Sequence, residues 1–298
     1  MRKRLLVTGY GGFVAGNVVF RGKDHWNIEA ITSPRRKDPE CLVPVHSLDL
    51  RDSKGLRALF KAARPDAVIH AAARADIDYC QSHRSEAESI NVGVTGSLAA
   101  LCHERECRLV YCSTDTVFDG KKGHYTETDT PSPVNFYGET KVRAEKEALD
   151  HAENRMVARL ALVMGFPSSG SGNSFLAKMI ASLETGKEVA FPENEIRTPI
   201  DVITLADALL ELAGNDFQGV LHLAGNTRLN RYEWGRRIVE RLGYPLDLIR
   251  ATDSNAMPGR APRPCDASLD NSKARSILRT PMLGLEEGLA SIERSMED

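Results

Sequence analysis

The 298-residue sequence predicts an α/β fold in which a doubly wound parallel sheet is followed by a smaller C-terminal substrate-binding lobe. Three observations carry that expectation. Short β-rich apolar runs alternate with amphipathic helical segments from the first residues; a glycine cluster follows the first run; and the texture of the chain changes after Gly165. Repeated βα units of this kind close as parallel sheets covered on both faces, with ligands at the carboxyl ends of the strands.

In chain order, Arg4 to Thr8 is a short apolar run that stops at glycine, and Gly16 to Phe20 can open a helix. Ile28 to Thr32 reads as a second strand. Asp52 or Ser53 can cap a helix whose Leu56, Leu59, Phe60 and Ala63 share one face. Arg64-Pro65-Asp66 is a turn leading into the buried strand Ala67-Val68-Ile69. Ile90, Val94, Leu98 and Leu101 stripe another helix, and Arg108 to Ser113 is the strand after it. Asn135 to Leu149 is helical again, and Met156 to Val163 is a strand. Beyond Gly165, Pro167 to Gly172 reads as a flexible loop, and Phe175, Leu176, Met179, Ile180 and Leu183 stripe a helix. Leu205 to Ala213 and Val220 to Leu223 look like a return to the sheet. The Arg- and Pro-rich stretch Met257 to Pro264 belongs to a cap that holds a substrate. The expected division is therefore 1–165 for a dinucleotide-binding domain, rejoined around 196–225, with 166–195 and 226–298 as the second lobe.

Composition removes several function classes. Lys and Arg (39) nearly balance Asp and Glu (41), which argues against a broad nucleic-acid face. No apolar run approaches the ~20 residues that cross a bilayer. The basic start, Met1 to Arg4, reaches Gly9 before a signal-type apolar region can form, so a cytoplasmic location is expected. None of the six cysteines forms a Cys-x-x-Cys pair, and the five-residue spacing of Cys102, Cys107 and Cys112 beside His103 does not converge ligands. Buried, reduced thiols and no metal site are the expectation.

Three stretches carry chemistry. Val7-Thr8-Gly9-Tyr10-Gly11-Gly12-Phe13-Val14-Ala15-Gly16 follows the first strand, where glycine permits a tight turn and lets a pyrophosphate approach the amides of a helix N-terminus. This is the Rossmann-type arrangement; a glycine turn serving packing alone is the competing reading. At the end of the second strand, Ile31-Thr32-Ser33-Pro34-Arg35-Arg36-Lys37 offers no acid for ribose hydroxyls. Its hydroxyls and two arginines (Ser33, Arg35, Arg36) suit a 2′-phosphate, so NADPH is the expected cofactor, with NADH as the alternative and a solvated basic loop as the competing reading. In Tyr137-Gly138-Glu139-Thr140-Lys141, positions i and i+4 share a helix face, so Lys141 can approach the Tyr137 phenol and a cofactor ribose. An adjacent cation and an oxidised nicotinamide favour phenolate and poise Tyr137 to exchange a proton with a carbonyl or alcohol. A surface Tyr/Lys pair has the same spacing; the order of the glycine loop, Cys112-Ser113-Thr114-Asp115 and then this helix separates the two.

Together these residues resemble the extended short-chain dehydrogenase/reductase family over essentially the whole chain, and within it the dTDP-4-dehydrorhamnose reductases and their relatives. The stretches that carry the resemblance are Thr8-Gly9-x-x-Gly12, Asp49-Leu50, Ala71-Ala72-Ala73, Ile90-Asn91-Val92, Ser113-Thr114-Asp115-x-Val117-Phe118-Asp119-Gly120, Tyr137 to Lys141 and Gly172-Asn173-Ser174-Phe175. The resemblance implies that Thr114 hydrogen-bonds the substrate carbonyl, Tyr137 is the general acid, and Lys141 binds ribose and tunes Tyr137. It places Gly9, Gly12, Phe13 and Val14 at the pyrophosphate, Asp49 and Leu50 at the adenine, and Ala71, Ala72 and Ala73 under the pyrophosphate and nicotinamide ribose. Asn91 is grouped with the cofactor residues as a structural or proton-relay asparagine. Asp115, Asn173 and Arg263 are assigned to substrate, with a solvent-exposed role for Arg263 as the alternative.

Departures bear on the substrate. Leu162 stands where the rhamnose-pathway reductases carry an aromatic ring, Ala75 and Ile200 replace hydroxyl residues, and Ala15 replaces the third glycine. Three functions follow as alternatives: an NAD(P)H-dependent reductase of a nucleotide-linked 4-keto sugar, a related NAD-dependent epimerase or dehydratase, and a non-catalytic regulatory subunit like the methionine adenosyltransferase β subunit. Thr116 stands where dehydratases place a second carboxylate, which disfavours dehydration. The expected partner is a small nucleotide sugar, with no nucleic acid or membrane; a homodimer is left open.

Overall fold

The computed structural model describes residues 2–36, 41–150, 154–168, 174–256 and 259–297. Seven parallel strands form one sheet: β1 (Arg4–Thr8), β2 (Asn27–Thr32), β3 (Val45–Ser47), β4 (Ala67–His70), β5 (Arg108–Thr114), β6 (Arg155–Leu160) and β7 (Gly219–Leu223). Their spatial order is β7-β6-β5-β4-β1-β2-β3. The chain starts in the middle, runs out to one edge, and crosses back to continue on the other side of β1. Strand order thus reverses between β1 and β4, which opens a crevice at their carboxyl ends.

The period of two along each strand builds the layers. Leu5 and Val7, Ala67 and Ile69, Val110 and Cys112, and Met156 and Ala158 enter one apolar core beneath the helices Phe13–Gly22 and Val202–Gly214. Leu6, Val68, Leu109, Tyr111 and Val157 enter the opposite core, under Ser53–Ala63, Val94–Glu104 and Phe136–Leu149. Asp52 caps the first of these by accepting from the amides of Lys54 and Gly55, and Leu56, Leu59, Phe60 and Ala63 are its buried stripe, as the sequence predicts.

The second lobe has its own core, in which Met164, Leu176, Met179, Leu183, Phe191, Trp234, Ile238, Leu285, Leu289 and Ile292 pack together. Between its parts the chain returns to the sheet through Val202–Gly214 and β7.

Several expectations shift. The first helix begins at Phe13 rather than Gly16, because the glycine turn is tighter than a loop running to Ala15. β6 stops at Leu160; the Ala161 amide still bonds the Leu223 carbonyl, but Val163–Met164 leaves to pair with Ile200–Asp201. The edge strand β3 carries only three residues and gave no periodic signal. Cys80, Cys102, Cys107 and Cys112 are buried, whereas Cys41 and Cys265 are exposed, against the expectation for all six. Gly170 to Asn173 lie outside the described residues. No helix among the described residues is long and apolar enough to cross a membrane.

Candidate active site

The glycine loop runs from the end of β1 over the crevice. Gly9 and Gly11 have φ of +85° and +82°, conformations that side chains resist. A Cβ on Gly9 would lie 2.9 Å from the Ala72 backbone, and one on Gly12 would lie 2.8 Å from the Gly9 carbonyl oxygen. No side chain caps the helix Phe13–Gly22. Its first-turn amides, those of Phe13 and Val14, have no intrahelical acceptor and sit at the positive end of the helix dipole. A side-chain-free cradle over an uncapped helix start fits a dinucleotide pyrophosphate.

A buried chain of hydrogen bonds beneath the loop escaped the sequence reading. Thr8 Oγ1 accepts from the Ala72 amide at 3.2 Å and lies 2.7 Å from His70 Nδ1, while His70 Nε2 lies 3.1 Å from Thr95 Oγ1. Burial, helped by the Lys141 charge, pulls His70 down to about 3, so the imidazole is neutral. Ala71, Ala72 and Ala73 follow β4 directly, with the Ala71–Ala72 backbone against Gly9.

At the other end of the crevice, Ser33 to Arg36 form a turn closed by the Arg36 amide on the Ser33 carbonyl at 2.9 Å. Ser33 and Arg35 are exposed. Asp49 is held by Arg51, with contacts down to 2.6 Å, and its carboxyl falls to about 2 through those bonds, aided by the Arg35 charge. The turn and Asp49 therefore face one region, whereas Leu50 packs on the core beside them. Arg51 was not singled out in the sequence.

β5 delivers Thr114 at its carboxyl end, and the helix Phe136–Leu149 delivers Tyr137 and Lys141. Asn135 starts that helix by accepting from the Gly138 amide at 2.9 Å. A Cβ on Gly138 would lie 2.5 Å from the Thr116 carbonyl oxygen, so the glycine presses the helix start onto the turn after β5. Thr114, Tyr137 and Lys141 are all buried. Tyr137 faces the Thr114 side chain; burial first, then the Asp115 charge, hold the phenol well above its usual range. Lys141 Nζ donates to the Cys112 carbonyl at 2.7 Å and lies 4.2 Å from the Tyr111 ring centre. Burial pulls it down to about 8. The ammonium thus donates to the Cys112 carbonyl, and Tyr137 is a phenol with a proton to give.

Asn91 sits in a single π-helical turn, Ser89–Gly93, a distortion common at functional sites. Its Oδ1 accepts from the Arg74 amide at 2.7 Å, and its Nδ2 donates to the Arg74 carbonyl at 3.1 Å and to Thr140 Oγ1 at 3.0 Å. Thr140 Oγ1 in turn donates to the Tyr137 carbonyl at 2.7 Å. Both amide protons and one oxygen lone pair are used within the protein, so Asn91 ties the loop after Ala73 to the Tyr137 helix.

The three substrate positions fare differently. Asp115 is buried beside Thr114, whose hydroxyl donates to its Oδ1 at 3.2 Å. Arg263 donates to the Asp78 carboxylate at 2.9 and 3.0 Å and to the Ala261 carbonyl at 2.6 Å. Asn173 lies outside the described residues. Ala75 is exposed; Leu162 is half-buried; Ile200 is buried in the sheet core. The sequence reading also missed Arg197, whose Nε is 3.5 Å from Asp115 Oδ2.

A doubly wound sheet with a glycine cradle at its switch point, and Thr, Tyr and Lys at the end of the neighbouring strand, defines an extended short-chain dehydrogenase/reductase. More narrowly, the family model for the RmlD substrate binding domain matches residues 2–297, and the chain belongs to that family. It is 30% identical over 294 residues to a "probable low-salt glycan biosynthesis reductase" of Haloferax volcanii, covering 98% of each chain. It is 29% identical to the methionine adenosyltransferase 2 subunit beta of Rattus norvegicus, over 96% of this chain and 87% of that one. The dTDP-4-dehydrorhamnose reductase of Bacillus anthracis, solved in complex with NADP, superposes with a TM-score of 0.87 at 21% identity, covering 99% of this chain and 100% of that one.

Proposed function

We propose that the protein is an NADPH-dependent reductase of a nucleotide-linked 4-keto sugar. The observation that carries this reading is the Thr114–Tyr137 contact at the carboxyl end of β5, with the phenol kept protonated by burial and by Asp115. A reductase needs its acid charged with a proton when the carbonyl arrives. Tyr137 supplies that proton to the carbonyl oxygen, while the Thr114 hydroxyl turns to hydrogen-bond the same oxygen. Lys141, still largely protonated at neutral pH with its value near 8, is a buried cation on the same helix as Tyr137 and would favour the phenolate left by proton transfer. Gly9, Gly12, Phe13 and Val14 would hold the dinucleotide pyrophosphate, and Ser33, Arg35 and Arg36 the 2′-phosphate. The cofactor supplies the hydride.

The relatives support the same reading: one is named a glycan biosynthesis reductase, and one solved neighbour is a dTDP-sugar reductase with NADP. The test of this reading is turnover of a dTDP-linked 4-keto-6-deoxy sugar, followed as loss of NADPH absorbance. Tyr137→Phe should lower kcat by ~10²–10⁴ with NADPH affinity retained; wild-type turnover in that variant would refute the mechanism.

A second reading, a regulatory subunit, is favoured by the similarity to the methionine adenosyltransferase 2 subunit beta. Stoichiometric capture of a partner by a protein that turns over no keto sugar would support it instead.

A further inference from the structure

Asp115 stands beside the reacting groups, yet its second oxygen faces away from them, toward a charge cluster on no strand of the main sheet. Arg197 lies on the two-residue strand Ile196–Arg197, which pairs with Leu229–Asn230. Its Nη1 donates to the Ile196 carbonyl at 2.7 Å and lies 3.4 Å from the Cys265 carbonyl; its Nη2 is 3.7 Å from Glu195. Glu195 is gripped in turn by Arg231 at 3.4 Å and Arg260 at 3.3 Å. The guanidinium is thereby fixed, with Nε directed at Asp115 Oδ2, 3.5 Å away, and both side chains are at least nine-tenths buried.

We propose that Arg197 is a positioning residue of the reductase site: through the Asp115 carboxylate it sets the direction of the Thr114 hydroxyl and registers the second lobe on β5. The proposal rests on the reductase reading above.

Hydrogen-bond valence supports it. Thr114 Oγ1 has one proton and two lone pairs. The proton goes to Asp115 Oδ1 at 3.2 Å, and one lone pair takes the Thr116 amide at 3.2 Å. The other is left for the Tyr137 phenol or for Thr116 Oγ1, which is 3.0 Å away. This arrangement requires Asp115 to be an acceptor. Once protonated, Asp115 becomes a donor, and the Thr114 hydroxyl loses its fixed direction. Asp115 Oδ2 is buried without a hydrogen-bond partner. Arg197 therefore acts on it through charge, since its Nε does not meet hydrogen-bond geometry.

The groups that face Asp115 are few. Arg197 opposes its protonation; Glu195 behind Arg197 and the burial itself favour it; the Thr114 hydroxyl and the Thr116 amide oppose it from its own turn. Tyr137 faces it from the neighbouring helix. Burial is the largest of these influences and raises the carboxyl; Arg197 is the next and the strongest that opposes its protonation.

The test compares wild type with Arg197→Met, Arg197→Lys and Asp115→Asn. The Asp115 carboxyl is titrated by carbon-13 NMR in the ligand-free protein, its resonance assigned by its loss in Asp115→Asn. The pH profile of kcat/KM is measured in parallel, with NADPH affinity as the control for folding. Arg197→Met should raise the Asp115 midpoint by about one unit or more and move the acid limb of kcat/KM up with it, at unchanged NADPH affinity. Arg197→Lys should restore both at least halfway. An Arg197→Met protein with lower kcat/KM at every pH but an unmoved limb and carboxyl midpoint would overturn the proposal. If Arg197→Met does not fold, Arg197→Lys alone decides: a limb kept near wild type supports the proposal, and one displaced as if the charge were gone overturns it. If the wild type turns over no keto sugar, the reductase reading fails, and the NMR titration still upholds or overturns the Arg197–Asp115 coupling.

Discussion

Lys141 is a buried cation with a calculable thermodynamic signature. Burial lowers it from 10.5 to about 8 in the folded protein. A lysine depressed on folding binds fewer protons in the native state between those values. Its contribution to stability is therefore fully present above the unfolded value and is lost as pH falls toward 8. The full span corresponds to about 3 kcal/mol at ~1.4 kcal/mol per unit. Raising the pH from 7 to 9 crosses the native midpoint and should recover about 1 kcal/mol of it. Replacing Lys141 by Met keeps the volume and deletes the charge, so this pH dependence should vanish in Lys141→Met. The difference in unfolding free energy between the two proteins is the quantity to measure, by urea denaturation without cofactor at pH 7 and pH 9. Taking the difference cancels the buried acids that also titrate at high pH, including Cys112, which burial pushes up to about 12. Wild type should gain about 1 kcal/mol on the variant over that interval. At pH 7 the variant also loses the bond to the Cys112 carbonyl and the contact with the Tyr111 ring, which offset much of the relief. A difference that stays constant from pH 7 to pH 9 would refute the reasoning, because Lys141 would then be solvated in the native state.

Other outcomes follow from the same coordinates. Gly9→Ala forces a Cβ to within 2.9 Å of the Ala72 backbone at φ +85° and should cost about 1–3 kcal/mol on chemical denaturation while abolishing NADPH binding. Arg35→Ala combined with Arg36→Ala should reduce the rise in melting temperature given by NADPH to that given by NADH; an undiminished NADPH effect would mean that the arginines are a solvated loop. Asn91→Ala leaves the Arg74 amide and the Thr140 hydroxyl without their partner. A loss of about 1–3 kcal/mol is expected, with faster hydrogen exchange at the Arg74 amide.

The parts legible in the sequence were those governed by local period and by turn chemistry. Leu5, Leu6 and Val7 alternate between two cores because a strand alternates, and Leu56, Leu59, Phe60 and Ala63 line one face because a helix repeats every 3.6 residues. Tyr137 and Lys141 share a helix face for the same reason. What stayed hidden depended on distant segments. The Arg197–Asp115 and Arg263–Asp78 pairs join parts of the chain with no common spacing, so no pattern foretells them. The bond from the Lys141 ammonium to the Cys112 carbonyl was not foreseen because position on a helix fixes which face a side chain leaves from, not which of several acceptors its four-carbon stem reaches. Strand β3 was missed since three residues at an edge, with Val45 and His46 only half-buried, leave no periodic record.

The detour of the chain through β7 has a consequence for engineering. The second core draws on segments both before and after β7, from Met164 to Ile292, and the sheet's outer edge is completed only between them. A chimera that exchanges one contiguous C-terminal block with a homologue would carry off β7 and expose the flank of β6. A transplant of specificity therefore needs two splice points, one on each side of the Val202–Leu223 passage, and a single junction yields a sheet with a mismatched edge rather than a new enzyme.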